Sequence, residues 1–367
     1  MASPVRKLAD LIAGYSVEVR KSDDVVIRAT MAAMPLLVEL YRAIVERGGY
    51  PIPMLTDELL IETFYRYADD EVLKHVSPIE KFIQEKANVM IRILSDTHTK
   101  FMSSIDPEKV KIANAARIEL TKIFLERSAK KELRWTVAPY PTKALAQEAG
   151  MSFFEYEEFV YRACAVHLDD PISFWKKKGE EQKKIIELLS KVSELRFVAE
   201  DTDLTVRVDG RVWVNDDGHE NMPGGEVFTA PIEDSVEGRI RFTYPAIWRG
   251  VEVEDVMLVF RKGEVVEARA RRGEEFLRRI LETDEGAKRV GELAFGLNYY
   301  IDKFTKNILF DEKIGGTIHM ALGAAYPETG GKNVSAIHWD MIKDMKRGKV
   351  YADGDLIYEN GKFVVEL

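Results

Sequence analysis

Up to about residue 170, short apolar runs alternate with amphipathic stretches, and that alternation leaves few folds open. Val25-Val26-Ile27-Arg28-Ala29 reads as a buried strand. Pro35 to Arg47 reads as a helix, with Leu36, Leu37, Leu40, Tyr41 and Ile44 on one face and Gly48-Gly49 at its end. A strand over Tyr50 to Leu55 follows, in spite of Pro51 and Pro53, then a helix near Glu58 to Tyr67. Val89 to Leu94 and Trp135 to Ala138 read as further strands, with helices over Pro107 to Leu125 and Thr142 to His167. Alternating β and α of this kind predicts a parallel sheet covered on both faces. No Gly-x-Gly-x-x-Gly follows any of these strands, so no dinucleotide site is expected.

The pattern changes near residue 200, after a charged helical stretch from Asp170 to Lys191. Leu204 to Val208, Asp209-Gly210 and Arg211 to Val214 read as a hairpin, because Asp-Gly favours the tight primed turn. Val256 to Phe260 and Glu264 to Ala270 flank Arg261-Lys262-Gly263 as two more strands. One helix is predicted over Glu274 to Leu281 and a second after Thr283, with Asp284 and Glu285 in its first turn. At 367 residues the chain suits two domains. The expected organisation is an α/β domain with a parallel sheet over 1–200, and a β-rich α+β domain that carries metal over 201–367.

The formal net charge is −9 and is spread along the chain, which argues against nucleic acid or an anionic membrane as the main partner. No window has the length of a membrane span, and no apolar stretch of signal-peptide type follows the first residues. The one cysteine, Cys164, allows no disulfide within the chain and no cysteine-built zinc site, which fits the cytoplasm. It reads as a small buried hydrophobe. A charged fraction of 31%, with little cysteine, hints at a heat-loving source.

Metal-capable side chains gather in the last third. His338 and Asp340 are two apart, so a strand would turn both to one face. A surface histidine beside a solvated acid explains the pair equally well. His319 lies in an apolar run, as a satisfied core histidine would, or as a ligand whose second nitrogen is held by an acceptor. Glu292, on the second predicted helix, either faces solvent or is buried and paired. Glu226 follows Gly224-Gly225, glycines that permit close backbone approach, or it ends an ordinary turn. Two histidines and three carboxylates are donors enough for two divalent cations that share one carboxylate, which points to a metallohydrolase. Nitrogen and oxygen donors without thiolate suit zinc, cobalt or manganese. His75, His98 and His167 belong to the α/β half, and His219 to a polar loop. Asp311-Glu312 read as turn and surface acids.

Long matches at Asn221 to Pro231, Thr283 to Glu292, Leu309 to Glu312, His319 to Pro327 and Ser335 to Asp340 carry a more specific likeness. The chain resembles the thermophilic metallo-aminopeptidase family of the aminopeptidase T type over nearly its whole length. The resemblance implies release of N-terminal residues from short peptides by water activated between two divalent metals, in a homodimer with enclosed sites. By the same resemblance Glu226 bridges the metals, Glu292 and His319 bind one, and His338 and Asp340 bind the other. It makes Glu292 the carrier of the proton to the leaving amine, and Tyr326 a donor to the oxyanion. It also allows Asp311-Glu312 a role around the site. Leu297 departs from a histidine that several members have there. The rival expectations are a metallohydrolase of another amide bond and a noncatalytic peptide-binding relative. A complete ligand set speaks against the latter.

Overall fold

Four strands build the first sheet: β1 (Asp24–Thr30), β2 (Tyr50–Thr56), β3 (Val89–Leu94) and β4 (Arg134–Pro139). They pair in parallel in the order β2-β1-β3-β4. The expected parallel α/β sheet is therefore borne out. β2 tolerates its prolines because it lies at an edge. The Tyr50 N–H donates to the Asp23 carbonyl at 2.7 Å. Alternation then turns the Pro51 and Pro53 nitrogens to the open side, where no ladder bond is lost. Two expected long helices are each divided. Pro107–Ala116 and Ile118–Ala129 break at Arg117, whose φ of −93° and ψ of 5° leave the helical range. Lys143–Glu148 and Phe153–Ala163 are separated by Gly150 at φ 65°, and Ser152 caps the second by accepting from the Glu155 N–H.

The computed structural model describes residues 2–364. The chain divides into two units, Met1–Phe174 with Gly218–Pro223, and Trp175–Asp217 with Gly224–Leu367. The division falls inside the helix Pro171–Leu189, ahead of the change of pattern near 200.

The second unit holds two antiparallel sheets. One has eight strands: β5 (Glu194–Ala199), β6 (Thr202–Arg207), β9 (Glu237–Arg241), β12 (Met257–Arg261), β13 (Glu264–Arg269), β17 (Lys349–Ala352), β18 (Asp355–Glu359) and β19 (Lys362–Phe363). The other has five: β7 (Val214–Asp216), β8 (Glu226–Thr229), β14 (Val290–Gly296), β15 (Thr317–Gly323) and β16 (His338–Asp344), in the order β16-β15-β14-β8-β7. A short pair, β10 (Ala246–Trp248) and β11 (Val251–Val253), stands apart. Leu195, Phe197, Leu204, Ile240 and Phe260 of the large sheet share one core with Leu293, Phe295, Ile318, Met320, Trp339 and Met341 of the small one. In β14, β15 and β16 these core residues alternate with the site residues, so one face of the five-stranded sheet meets the core and the other carries the chemistry.

Three local expectations are corrected here. Glu292 sits on a strand, not a helix. All seven residues of β14 are buried, and a short apolar run buried on both faces has no periodicity to separate strand from helix. The second expected helix is one 3-10 turn, Glu285–Lys288, capped by Asp284 through the Ala287 N–H and not by Thr283. The segments around Asp209-Gly210 do not form a hairpin. β6 pairs with β5 and β9, while β7 pairs with β8 in the other sheet, because the chain changes layer between them. The hairpin of β12 and β13 is as expected.

Candidate metal centre

The small sheet gathers the donors by register. Asp340 stands opposite Ala321, and Ala321 opposite Glu292. His319 lies between Ile342 and Ala294 in the next row. Glu226 lies between Gly296 and Asp216 in the row after that. His338 faces Gly323 at the other end. Directly opposed residues of an antiparallel sheet point to the same face. The donors are thus interleaved with glycine and alanine, which leaves the space above the sheet to the ligating atoms. Gly225, ahead of Glu226, has φ 116°, and a Cβ there would lie 2.6 Å from the Cβ of Asn298. Only glycine suits that entry to β8.

Both imidazoles are held from behind. His319 Nδ1 lies 3.0 Å from the Glu312 carbonyl and His338 Nδ1 lies 2.8 Å from the Ala324 carbonyl, so each Nδ1–H donates outward and each Nε2 turns to the carboxylates. Glu292 stands between the two rings. Its Oε2 is 3.0 Å from His338 Nε2, and its Oε1 is 3.4 Å from His319 Nε2. His319 Nε2 is also 3.7 Å from Glu226 Oε2, and His338 Nε2 is 3.6 Å from Asp340 Oδ1. The ligating atoms fall into two groups, Glu226 with Glu312 and His319, and Glu292 with His338 and Asp340, each within 4.8 Å. All five residues singled out in the sequence are therefore brought together.

The donors fit divalent cations. Glu226, Glu292 and His319 are buried, and Glu226 Oε2 and Asp340 Oδ1 have no hydrogen-bond partner among the described residues. Without a cation, lone pairs face lone pairs unless protons intervene. Burial alone would lower the histidines, but the carboxylates more than offset it, raising His319 to about 10 and His338 to about 9. Burial would likewise raise Glu292, and the two imidazoles instead hold it at about 2. Burial raises Asp340 to about 6 and Glu226 well above the ordinary carboxylate range. A cage that takes up protons to relieve its own charge is one in which cations can replace them.

Lys313 escaped the sequence reading, and Glu312 takes the role around the site that the family resemblance allowed it. Lys313 is fully buried, with Nζ 3.2 Å from Glu226 Oε1, 3.3 Å from Asp216 Oδ2, and in contact with Glu312. Burial would lower its ammonium, but these carboxylates hold it well above the ordinary lysine range. A lysine after an acidic turn carries no signal of burial. Glu312 is not a surface acid. Its carbonyl positions His319 while its carboxylate belongs to the cluster. Asp311 is buried too, but it accepts from the Thr305 N–H and hydroxyl and takes no place in the cluster. His219 stacks at 4.5 Å on Tyr15 in the first unit.

A family model described as thermophilic metalloprotease (M29) matches residues 1–363. The chain belongs to that family. It is 31% identical to aminopeptidase T of Thermus thermophilus, over 73% of this chain and 72% of the relative. It is 26% identical to aminopeptidase 2 of Geobacillus stearothermophilus, over 96% and 97% of the two chains. The solved structure of wild-type AmpT from Thermus thermophilus superposes with a TM-score of 0.84 at 28% identity, over 99% of each chain. A 2,5-dihydroxypyridine dioxygenase from Pseudomonas putida shares the fold at a TM-score of 0.62 and 14% identity. The fold alone therefore does not fix the reaction, and the site must. The resemblance expected from the sequence is borne out, and the chain is a metal-dependent peptidase.

Tyr326 follows β15 and rests its ring against His338 at 4.9 Å and Phe228 at 5.7 Å. Burial, with Glu292 and Asp340 next, drives its phenol upward, so it stays a neutral donor. Leu297 is 2% exposed in the apolar core of this unit, so in this peptidase the position is a packing residue.

Proposed function

We propose that the chain is a two-metal aminopeptidase acting on short peptides. The observation that carries this reading is Glu292, which presents one carboxylate oxygen to each of two imidazoles held by backbone carbonyls. On this reading Glu292 would be shared by two cations, the part that the family resemblance gave to Glu226. Glu226 has one oxygen committed to Lys313 and only the other turned to His319, so it serves a single cation. Glu226 and His319, with Glu292, would hold one cation, and His338 and Asp340, with Glu292, the other, with Glu312 beside the first.

Bound there, two divalent cations would supply Lewis acidity for lowering the pKa of a water and for polarising the scissile carbonyl. The residues do the rest. The carbonyls of Glu312 and Ala324 fix the imidazole rings. Tyr326 donates its O–H to the developing oxyanion, a contact whose loss costs ~2.7–4 kcal/mol in comparable sites. Glu292 is a poor proton carrier, because both of its oxygens are engaged by the imidazoles. Glu312 suits that role better, because its side chain keeps 18% exposure against 6% for Glu292. It stands beside Lys313 and can pass the proton to the leaving amine.

Aminopeptidase action is supported by the names of the relatives. The homodimer rests on the family resemblance, and the cytoplasmic setting on the lone Cys164. No helix among the described residues is long and apolar enough to cross a membrane. Metal analysis should find two divalent ions per chain, and chelation should abolish activity that zinc, cobalt or manganese restores. Aminoacyl anilides should be cleaved and their N-acetyl forms spared. Equal cleavage of both would favour hydrolysis of another amide bond, and a metal-loaded protein inert to every aminoacyl substrate would favour a noncatalytic relative. Light scattering reports the oligomer.

A further inference from the structure

The first unit has a cavity of about 500 Å³ against its parallel sheet, lined by none of the candidate metal ligands. Arg28 of β1 and Arg92 of β3 are partners in register, so both side chains leave the same face, with backbones ~4.8 Å apart. Both line the cavity, as does Arg117 from the break between two helices. Like charges directly opposite one another destabilise a sheet. Neither Arg28 nor Arg92 has a carboxylate within 4 Å among the described residues. The one acid in the lining, Glu80, lies 3.8 Å from Arg117. The remaining wall mixes Gln84, Thr121 and Thr136 with apolar Met90, Leu120 and Val137, beside an edge-to-face pair of Phe124 and Trp135 at 5.3 Å.

The position in the sheet adds a second reason. In the order β2-β1-β3-β4 the chain runs outward in both directions from the β1 and β3 pair. Open α/β sheets bind ligands at such switch points, toward the carboxyl ends of the strands. Arg28 and Arg92 each lie two residues from those ends. Cationic groups converging beside an aromatic wall suit an anion that carries an apolar body.

We propose that this cavity binds a small oxyanion, a carboxylate or a phosphate, joined to an apolar body, with Arg28 and Arg92 gripping the anion and Phe124 and Trp135 facing the body. Guanidinium forks match either anion in two-point contact. The site is independent of the metal centre, and its test does not require turnover. Calorimetric titration of the metal-loaded protein with 3-phenylpropionate, phenyl phosphate, inorganic phosphate and the uncharged 3-phenylpropionamide separates the contributions. One or both of the phenyl anions should bind, and which binds tighter names the anion. The amide and inorganic phosphate should each bind at least about tenfold more weakly. Arg28→Gln and Arg92→Gln should each weaken the anion about tenfold, and the double variant should lose it while melting no lower than the parent. Equal binding of the amide, or undiminished binding by a folded double variant, or no binding by either phenyl anion, would overturn the proposal.

Discussion

A carboxylate with both oxygens committed and a carboxylate with one differ in what they can hold, and that difference decides the centre at the level of single side chains. Lys313 is the residue on which it turns. Its ammonium occupies one oxygen of Glu226 and meets Asp216 and Glu312 as well. Replacing Lys313 by Ala leaves three carboxylates uncompensated in a buried space, and should destabilise the metal-free protein by about 3–5 kcal/mol in denaturant melts. A loss under about 1 kcal/mol would show that the network is dispensable. Tyr326→Phe tests the oxyanion contact. The variant should keep both metals and an unchanged KM, and lose about 10²–10³ in kcat. A fall in metal content instead would mean that the ring only packs on His338.

At the level of strands, the small residues between the donors matter as much as the donors. Ala321 sits between Glu292 and Asp340, and Ala294 beside His319. Ala321→Leu keeps the apolar character of β15 but fills the space above the sheet. It should still fold, at a cost of about 1–3 kcal/mol, and should hold less than one metal per chain by elemental analysis. Two metals in the folded variant would refute the spacing. None of this interleaving is readable in one dimension, because Ala321 and Glu292 are 29 positions apart and meet only through the β14–β15 register, which a bulge shifts between Val290 and Glu292. The same bulge, with burial of every residue of β14, hid the strand in which Glu292 lies.

Across the whole molecule, metal occupancy and pH should be linked. His319 and His338 are raised above the ordinary value of ~6.5 in the metal-free fold, to about 10 and about 9. A raised histidine stabilises the fold fully below its unfolded pKa, and that contribution is lost as pH rises through the folded value. The chelated protein should therefore lose stability between about pH 7 and pH 10. Metal binding needs the same nitrogens deprotonated, so the rise in Tm on adding zinc should grow across that window. A Tm increment that stays flat with pH would disprove the linkage.

Much of the molecule is settled by the chain itself. The runs at Val25, Tyr50, Val89 and Trp135 became the parallel sheet because each is a short, largely apolar segment set between helical stretches, the pattern that parallel strands with helical crossovers require. The identities of Glu226, Glu292, His319, His338 and Asp340 were legible because so few donors of this kind cluster in the sequence, and because the matched motifs surround them. The chain alone could not decide which carboxylate stands between the histidines, that Glu312 and Lys313 turn inward, or that Arg28 and Arg92 share a cavity. Those depend on strand register and layer packing, which join residues far apart along the chain, and a distance of a few ångströms between charges is set only when the sheets close.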